Sequence, residues 1–391
     1  MTRRLTQRRL RIDKIHSPAQ RTDLTGGSKC GIKRPETRVT VRISYMNLYK
    51  TWIRPFLFKL NPEVAHNLAK TLLKFGYLDH LVGKETLFVR DERLRVNLGG
   101  MSIRNPVGLA PGFDKDCEML DSLGIFGFGY IVSGSVMCEP RPGNLRPRMA
   151  RLPEQKAVVS CMGLPSKGLD YVSGRLRRHP QRYVPLIVNC NGFNLQEYVK
   201  LIEVIQPLAD GLEISLSCSN EADAGGDFLD PRTAETLFVE IAKRKTKPIF
   251  IKFPCYTTEE DRQKRLDLVE RALGYSIDGF TASVGPRLED KRLATGYGAL
   301  SGKPLFKEML RVVKDLYQVT RGRCYIKARG GIFSAEDAFE AIALGGSTVE
   351  VYTGLIYEGW TVAKNINQGL LKLLEEHHMI NITSLRGAKA A

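Results

Sequence analysis

The sequence predicts an α/β protein, a (β/α)8 barrel preceded by an N-terminal amphipathic helical hairpin. Three observations carry this prediction. Eight short apolar runs recur between residues 105 and 353, amphipathic helical patterns separate them, and small or polar residues end each run. Strands joined by helical crossovers close as a parallel barrel, whose chemistry gathers where the strands end and the loops begin.

The elements follow in chain order. The formal charge of +17 is unevenly spread, because residues 1–45 hold twelve Lys or Arg against only Asp13, Asp23 and Glu36. That segment supplies +9 and the rest of the chain +8. Poor in apolar residues and rich in Arg, Ser, Thr and Gly, it is expected to be disordered, as an Arg-rich transit peptide or as sequence upstream of a start at Met46. Outside it, aromatic and basic residues do not interleave as single-stranded nucleic-acid binding requires, so nucleic acid is not an expected partner. The 43% hydrophobic content is that of a folded globular chain. Eight scattered cysteines, with no CxxC pair and no secretory signal ahead of them, point to a reducing compartment without disulfides or a zinc ribbon.

A hydrophobic pattern begins abruptly at Met46. Leu48, Trp52, Phe56 and Leu57 share one helical face; Asn61 then caps a second helix with Pro62 at its first position, and Gly76 ends it. Both faces are too apolar for isolated surface helices, yet no run of 18 apolar residues exists to span a bilayer. Residues 46–78 therefore read either as a helical pair packed on the main domain or as a hairpin lying on a membrane, aided by Lys50, Arg54 and Lys59.

Residues 79–380 carry the barrel, and 381–391 read as a tail. The eight runs are NPVGLA (105–110), YIVSGS (130–135), PLIVNC (185–190), LEISLS (212–217), PIFIKF (248–253), DGFTAS (278–283), CYIKAR (324–329) and TVEVYT (348–353). A helix such as SAEDAFEAIALG, with a Ser334 cap and a Gly345 stop, shows the pattern between them. Lys115, Ser135, Asn189, Cys218, Lys252, Ser283, the pair Gly330 and Gly331, and the pair Tyr352 and Thr353 lie at or just past the run ends. A turn or a helix cap accounts for any one of them. Eight together mark a site.

At the ends of the last two runs, Gly330, Gly331, Thr353 and Gly354 let backbone N–H groups approach an anion, and the ALSGKP loop (299–304) adds small residues nearby. A phosphate-bearing cofactor is therefore expected. Lys252 lies inside an apolar run, where a lone ammonium is costly, so it faces a partner. Three roles fit it: a cation opposite an anionic cofactor ring, a Schiff-base amine as in barrel aldolases, or a structural ion pair. Cys190 and Cys255 read as small core hydrophobes. Cys218 instead stands at a strand end between Ser217 and Ser219, before a loop that could close over substrate, and an ordinary thiol with a pKa of about 8.5 serves as a base with modest help.

These residues resemble the dihydroorotate dehydrogenases, FMN-dependent enzymes of pyrimidine synthesis with a TIM barrel. The matching text is NPVGLAPGFDKDCE, GSVMCEPRPGNLRPRMARLPEQKAVVS, PLADGLEISLSCSN, IKFP, GALSGKPL, GGIFSAEDAFEAIALGGSTVEVYTGL and the opening RPFLFKLNPEVAHNLA, in family order from about Leu48 to Leu374. The opening and RPRMARLP are similar to the quinone-linked, membrane-associated class. The resemblance implies a quinone tunnel in the hairpin with His66, Arg151 and Tyr352. It implies FMN held by Ala110, Gly112, Ser135, Asn189, Lys252, Gly302, Gly331, Tyr352 and Thr353, with Lys252 stabilising the reduced flavin. Lys115 and Asn220, with Ser160 and Ser215 at contact positions, would bind substrate, and Cys218 would be the catalytic base. The implied location is the inner face of the cytoplasmic membrane, or the mitochondrial inner membrane if residues 1–45 are a transit peptide.

The departures from the family pattern cluster at the substrate. A loop rich in asparagine elsewhere in the family reads SCMGLP here, giving Ser160 and Pro165; Ser215 stands where asparagine is usual, Val284 where a TNT sequence ends the sixth strand, and Glu221 follows Asn220. Quinone-linked members place serine where this chain has Cys218. Arg329 replaces a small apolar residue before the glycine pair. Each buried hydrogen bond contributes about 1 kcal/mol, so losing several would weaken orotate binding unless compensated. Beside dihydroorotate oxidation, three readings stay open here: another cyclic or carbonyl-conjugated substrate, a Schiff-base lyase using Lys252, and a flavin-binding homologue without turnover.

Overall fold

Eight short runs pair in parallel and close on themselves in a computed structural model that describes residues 48–77, 87–216, 228–253, 256, 258–283 and 285–390. The chain divides into Met1–Arg42 and Ile43–Ala391, and all described residues belong to the second unit. The predicted tail of residues 1–45, Cys218, Asn220, Glu221 and Val284 lie outside the described residues.

The barrel strands are β1 (Val107–Leu109), β2 (Tyr130–Val136), β3 (Leu186–Cys190), β4 (Gly211–Ser215), β5 (Ile249–Phe253), β6 (Gly279–Ser283), β7 (Tyr325–Arg329) and β8 (Thr348–Val351). They pair in chain order, and β8 pairs with β1 to close the ring. Each coincides with one of the eight apolar runs, β2 and β4 overrunning theirs by one residue. Val, Ile and Leu dominate because helices cover the outer face and side chains fill the interior, leaving both faces of each strand buried. The covering helices are amphipathic: Pro231–Arg244 buries Ala234, Leu237, Phe238 and Ile241, the i, i+3, i+4, i+7 stripe that a helix lays on a sheet.

The hairpin forms as its pattern requires. A π-helical turn (Tyr49–Ile53) leads into α1 (Arg54–Lys59), and α2 (Pro62–Lys74) starts where the Asn61 side chain accepts from the Glu63 N–H. Buried polar links fasten the hairpin to the barrel. Arg148 Nε donates to Glu63 Oε1 at 2.9 Å, Arg151 donates to the Leu60 carbonyl at 2.8 Å, and Lys70 and Lys74 both meet Glu118. Outward, Trp52, Phe56, Val64, Leu68, Leu72, Phe75 and Tyr77 stay exposed.

Two features depart from the sequence expectation. An antiparallel sheet of Arg287–Glu289, Tyr297–Gly302, Ala157–Ser160 and Met149–Leu152 stands on the barrel's loop end, built from segments with too little alternation to be read as strands. Residues 381–390 are packed rather than a free tail. Asn381 caps a short helix (Ile382–Leu385) that buries Ile382 and Leu385, and Arg386 donates to the carbonyls of Gly345, Gly322 and Cys324. One turn is too short to show a period, which hid it.

Candidate active site

The strand ends and the antiparallel sheet enclose a cavity of about 290 Å³. Of the residues expected to hold cofactor or substrate, Ala110, Gly112, Lys115, Ser135, Ser160, Lys252, Gly302, Gly331, Tyr352 and Thr353 all line it. One end is bare backbone and small side chains. Gly331, at φ +73°, fits against Phe306 so closely that a Cβ would stand 2.7 Å from its backbone nitrogen; only glycine closes this turn. Beside it Thr353 Oγ1 bonds Ser301 Oγ at 3.1 Å, and Gly354 follows. This end suits a phosphate. The other end is cationic, with Lys115 and Lys252, and suits the anionic ring and the carboxylate of two further groups.

Lys115 follows β1, and its Nζ donates to the Gly112 carbonyl at 2.6 Å. Burial pushes its ammonium down to about 8. Ser160, at the end of a sheet strand, brings Met162, Leu164 and Pro165 to the same wall. Apolar groups thus replace part of the polar loop that the family pattern implies.

Asn189 and Ser215 stand in a buried polar layer beneath the cavity. Asn189 Nδ2 donates to Glu213 Oε1 at 2.7 Å and to Ser215 Oγ at 2.9 Å. Sequence reasoning passed over the rest of this layer. Glu213 (β4), Lys327 (β7) and Glu350 (β8) are fully buried, and Lys327 Nζ lies 2.5 Å from Glu213 and 3.1 Å from Glu350. Thr281 Oγ1 donates to Glu213 at 2.5 Å and Tyr130 Oη to Glu350 at 3.2 Å. Burial alone would raise the Glu213 carboxyl, but Lys327 and Arg329 outweigh it and hold it well down; Glu350, with less compensation for its burial, is pushed up. The signal was present as polar residues at alternate positions of LEISL, YIKAR and TVEVY, which point into a barrel whose interior is usually apolar.

A second cavity, of about 200 Å³, opens between the hairpin and the barrel. His66 and Arg151 line it among Ile53, Leu57, Phe58 and Leu72. Burial in this apolar wall drives His66 down to about 3, so it is neutral, while Arg151 stacks over Phe58 at 4.7 Å. Tyr352 lines both cavities, and Phe113 packs edge-on to both Tyr352 and His66, at 6.3 and 5.4 Å between ring centres. The two spaces are separated by little more than one aromatic side chain.

Comparison with known proteins agrees with this arrangement. The family model described as dihydroorotate dehydrogenase matches residues 93–374. A relative from Roseiflexus sp. named dihydroorotate dehydrogenase (quinone) is 33% identical over 360 residues, covering 87% of this chain and 98% of its own. One of the same name from Coxiella burnetii is 35% identical over 351 residues, covering 84% and 99%. The crystal structure of Eimeria tenella DHODH in complex with ferulenol superposes with a TM-score of 0.76 at 28% identity, over 86% of this chain and 98% of that one. With its closed barrel, its twin cavities and a family match over most of its length, the chain belongs to the dihydroorotate dehydrogenase family.

Proposed function

We propose that the chain oxidises dihydroorotate to orotate in the first cavity and delivers the electrons to a quinone in the second, with FMN as its flavin. The observation that carries this reading is Tyr352, shared by a cationic, phosphate-ready cavity and an apolar one. The family is flavin-dependent, and its relatives named above are quinone-linked. The residues fit FMN: Gly302, Gly331 and Thr353 at the phosphate end, Ala110, Gly112, Ser135 and Lys252 toward the ring. When bound, FMN supplies the acceptor for a hydride and releases electrons singly or in pairs to a quinone.

The protein's own part is positioning and proton transfer. Lys115 holds the substrate carboxylate as an ammonium. Ser160 contributes the pocket's remaining polarity, Ser215 supports it from the layer beneath through Asn189, and Asn220 contacts the ring. Cys218 Sγ takes the proton from the carbon next to the substrate carbonyl while the neighbouring carbon gives up hydride. Lys252 stabilises the negative charge that follows. Neutral His66 and cationic Arg151 offer polar ends to quinone oxygens in an otherwise apolar space.

The test is anaerobic, on the chain from Met46. Dihydroorotate should bleach the visible flavin band, and a soluble quinone should restore it. A yellow protein that stays yellow removes dihydroorotate as substrate; a protein that takes up no FMN removes the cofactor assignment.

The hairpin gives the quinone its source. No helix among the described residues is long and apolar enough to cross a membrane. Trp52 and Phe56 are 72% and 60% exposed, and Leu68 and Leu72 connect the exposed face to the second cavity. Docking this face on the headgroup boundary lets quinone enter from the bilayer. Anionic vesicles should carry the protein on flotation, and Trp52→Asp with Phe56→Asp should abolish this while leaving turnover with a water-soluble quinone intact. Flotation unaffected by the double variant would place the contact elsewhere.

A further inference from the structure

Arg329 ends β7 directly before the Gly330–Gly331 turn, and it and its register neighbour Glu350 both line the cofactor cavity. Lys327 already bonds both Glu213 and Glu350, so these carboxylates have a cation without Arg329. The Arg329 guanidinium stands further off, 3.7 Å from Glu213 and 3.9 Å from Glu350. It is also the member of the cluster that reaches open space: 14% of its side chain is exposed, against none for Glu213, Glu350 and Lys327. Glu350 Oε2, buried and without a hydrogen-bond partner among the described residues, belongs to the same lining. Here the Arg329 cation reaches the cavity while the carboxylates that hold it stay buried behind it.

We propose that Arg329 is a cofactor-facing cation, held in place by Glu213 and Glu350, that acts beside Lys252 to favour the reduced, anionic flavin over the oxidised one. This rests on the FMN reading given above. A fixed cation stabilises negative charge developing nearby, and does so more strongly in a cavity with little water. Lys252 on β5 and Arg329 on β7, which line the same cavity, would together tune the cofactor toward accepting electrons from substrate. Flavin affinity itself is left mainly to the glycine-lined phosphate end.

The test is the midpoint potential of the FMN-loaded protein, titrated with dithionite and reference dyes in the absence of dihydroorotate and quinone. Arg329→Gln should weaken the preference for reduced over oxidised flavin about tenfold, a fall of about 30 mV for the two-electron couple. Arg329→Lys should keep most of the wild-type potential. Because Arg329→Gln leaves two carboxylates sharing one cation, the same comparison is made between Glu350→Gln and the double variant Glu350→Gln with Arg329→Gln, where the remaining Glu213 and Lys327 still match. A fall that persists in the Glu350→Gln background supports the proposal, and one seen only in the single variant would assign the effect to the uncompensated carboxylates and overturn it. Equal potentials, with FMN bound, would show that Arg329 only balances the buried carboxylates. Wild-type protein that takes up no FMN would instead overturn the cofactor reading, and this inference with it.

Discussion

Replacing Lys327 with methionine should destabilise the barrel by about 3–5 kcal/mol, because it leaves Glu213 and Glu350 in a fully buried site without their shared cation. Methionine fills similar volume, so the loss is electrostatic rather than a cavity. The effect depends on pH with a definite sign. In the wild type, Lys327 and Arg329 hold the Glu213 carboxyl below its ordinary value, so its contribution is present above the unfolded carboxylate pKa and is lost as pH falls toward the folded one. In the variant, desolvation dominates and raises both carboxyls, so the folded state binds protons more readily than the unfolded chain. The deficit relative to wild type should therefore shrink as pH is lowered from 7 to 5. Urea unfolding of the chain from Met46, followed by far-ultraviolet circular dichroism at both pH values, measures this as a lower midpoint at similar slope. Adding Glu213→Leu and Glu350→Gln to Lys327→Met should recover part of the loss, since the buried carboxylates go with their cation, although Arg329 and Thr281 then lose their contacts with them. A single variant within about 1 kcal/mol of wild type would mean that water or relaxation screens the cluster far better than its burial implies.

That cluster also shows where a sequence stops being legible. The barrel was readable because each strand carries its own local signal, and β5 and β7 lie within the runs 248–253 and 324–329 while β2 exceeds the run 130–135 by one residue. The Asn61 cap and Pro62 start of α2 were readable for the same reason: the groups that satisfy the helix end lie within two residues of it. Lys115, Lys252, Gly331 and Thr353 could be placed at one site because barrel closure sends every strand end to one rim. Glu213, Lys327 and Glu350 could not be paired, since each is a single polar residue in an apolar strand, and only closure across the ring makes them partners. Asn189 shows the remaining difficulty. Family pattern assigns it to the flavin, yet its amide is committed to Glu213 and Ser215 beneath the cavity, a bond that exists because this chain places a glutamate at 213. The antiparallel sheet was missed because its strands owe their pairing to one another: Ser160 registers with Ala299 and Met149 across loops of different lengths.

Cys218→Ala should slow reduction of the flavin by dihydroorotate by about 10²- to 10⁴-fold, the range expected for loss of a positioned general base, and leave reoxidation by quinone unchanged. The asymmetry follows from the proposed layout: substrate and quinone are assigned to two separate cavities, and Cys218 follows β4 in the sequence. That strand end is anchored three residues earlier, where the Tyr198 hydroxyl donates to the Ser215 carbonyl at 2.5 Å and Ser215 Oγ meets Asn189. The pH profile adds a second readout. Proton removal requires the thiolate, which an ordinary thiol reaches at about pH 8.5, so the rate constant for reduction at limiting substrate should rise with pH. In the proposed mechanism the Lys115 ammonium captures substrate, and burial has pushed it down to about 8, so the same quantity should fall as pH rises through that value. The two limbs cross, giving a narrow maximum near pH 8 whose apparent pKa values belong to the pair. Lys115→Met should remove the falling limb and cost about 1.5–3 kcal/mol in kcat/KM, the contribution of one charge-assisted bond. Cys218→Ser should remove the rising limb near 8.5 while keeping more activity than alanine, because a hydroxyl at this position is what quinone-linked relatives are expected to use. Stopped-flow reduction and oxidation half-reactions separate these cases. Equal slowing of both half-reactions in Cys218→Ala would point to a disturbed fold, and an unchanged reduction rate would give the base role to Ser217 or Ser219 instead.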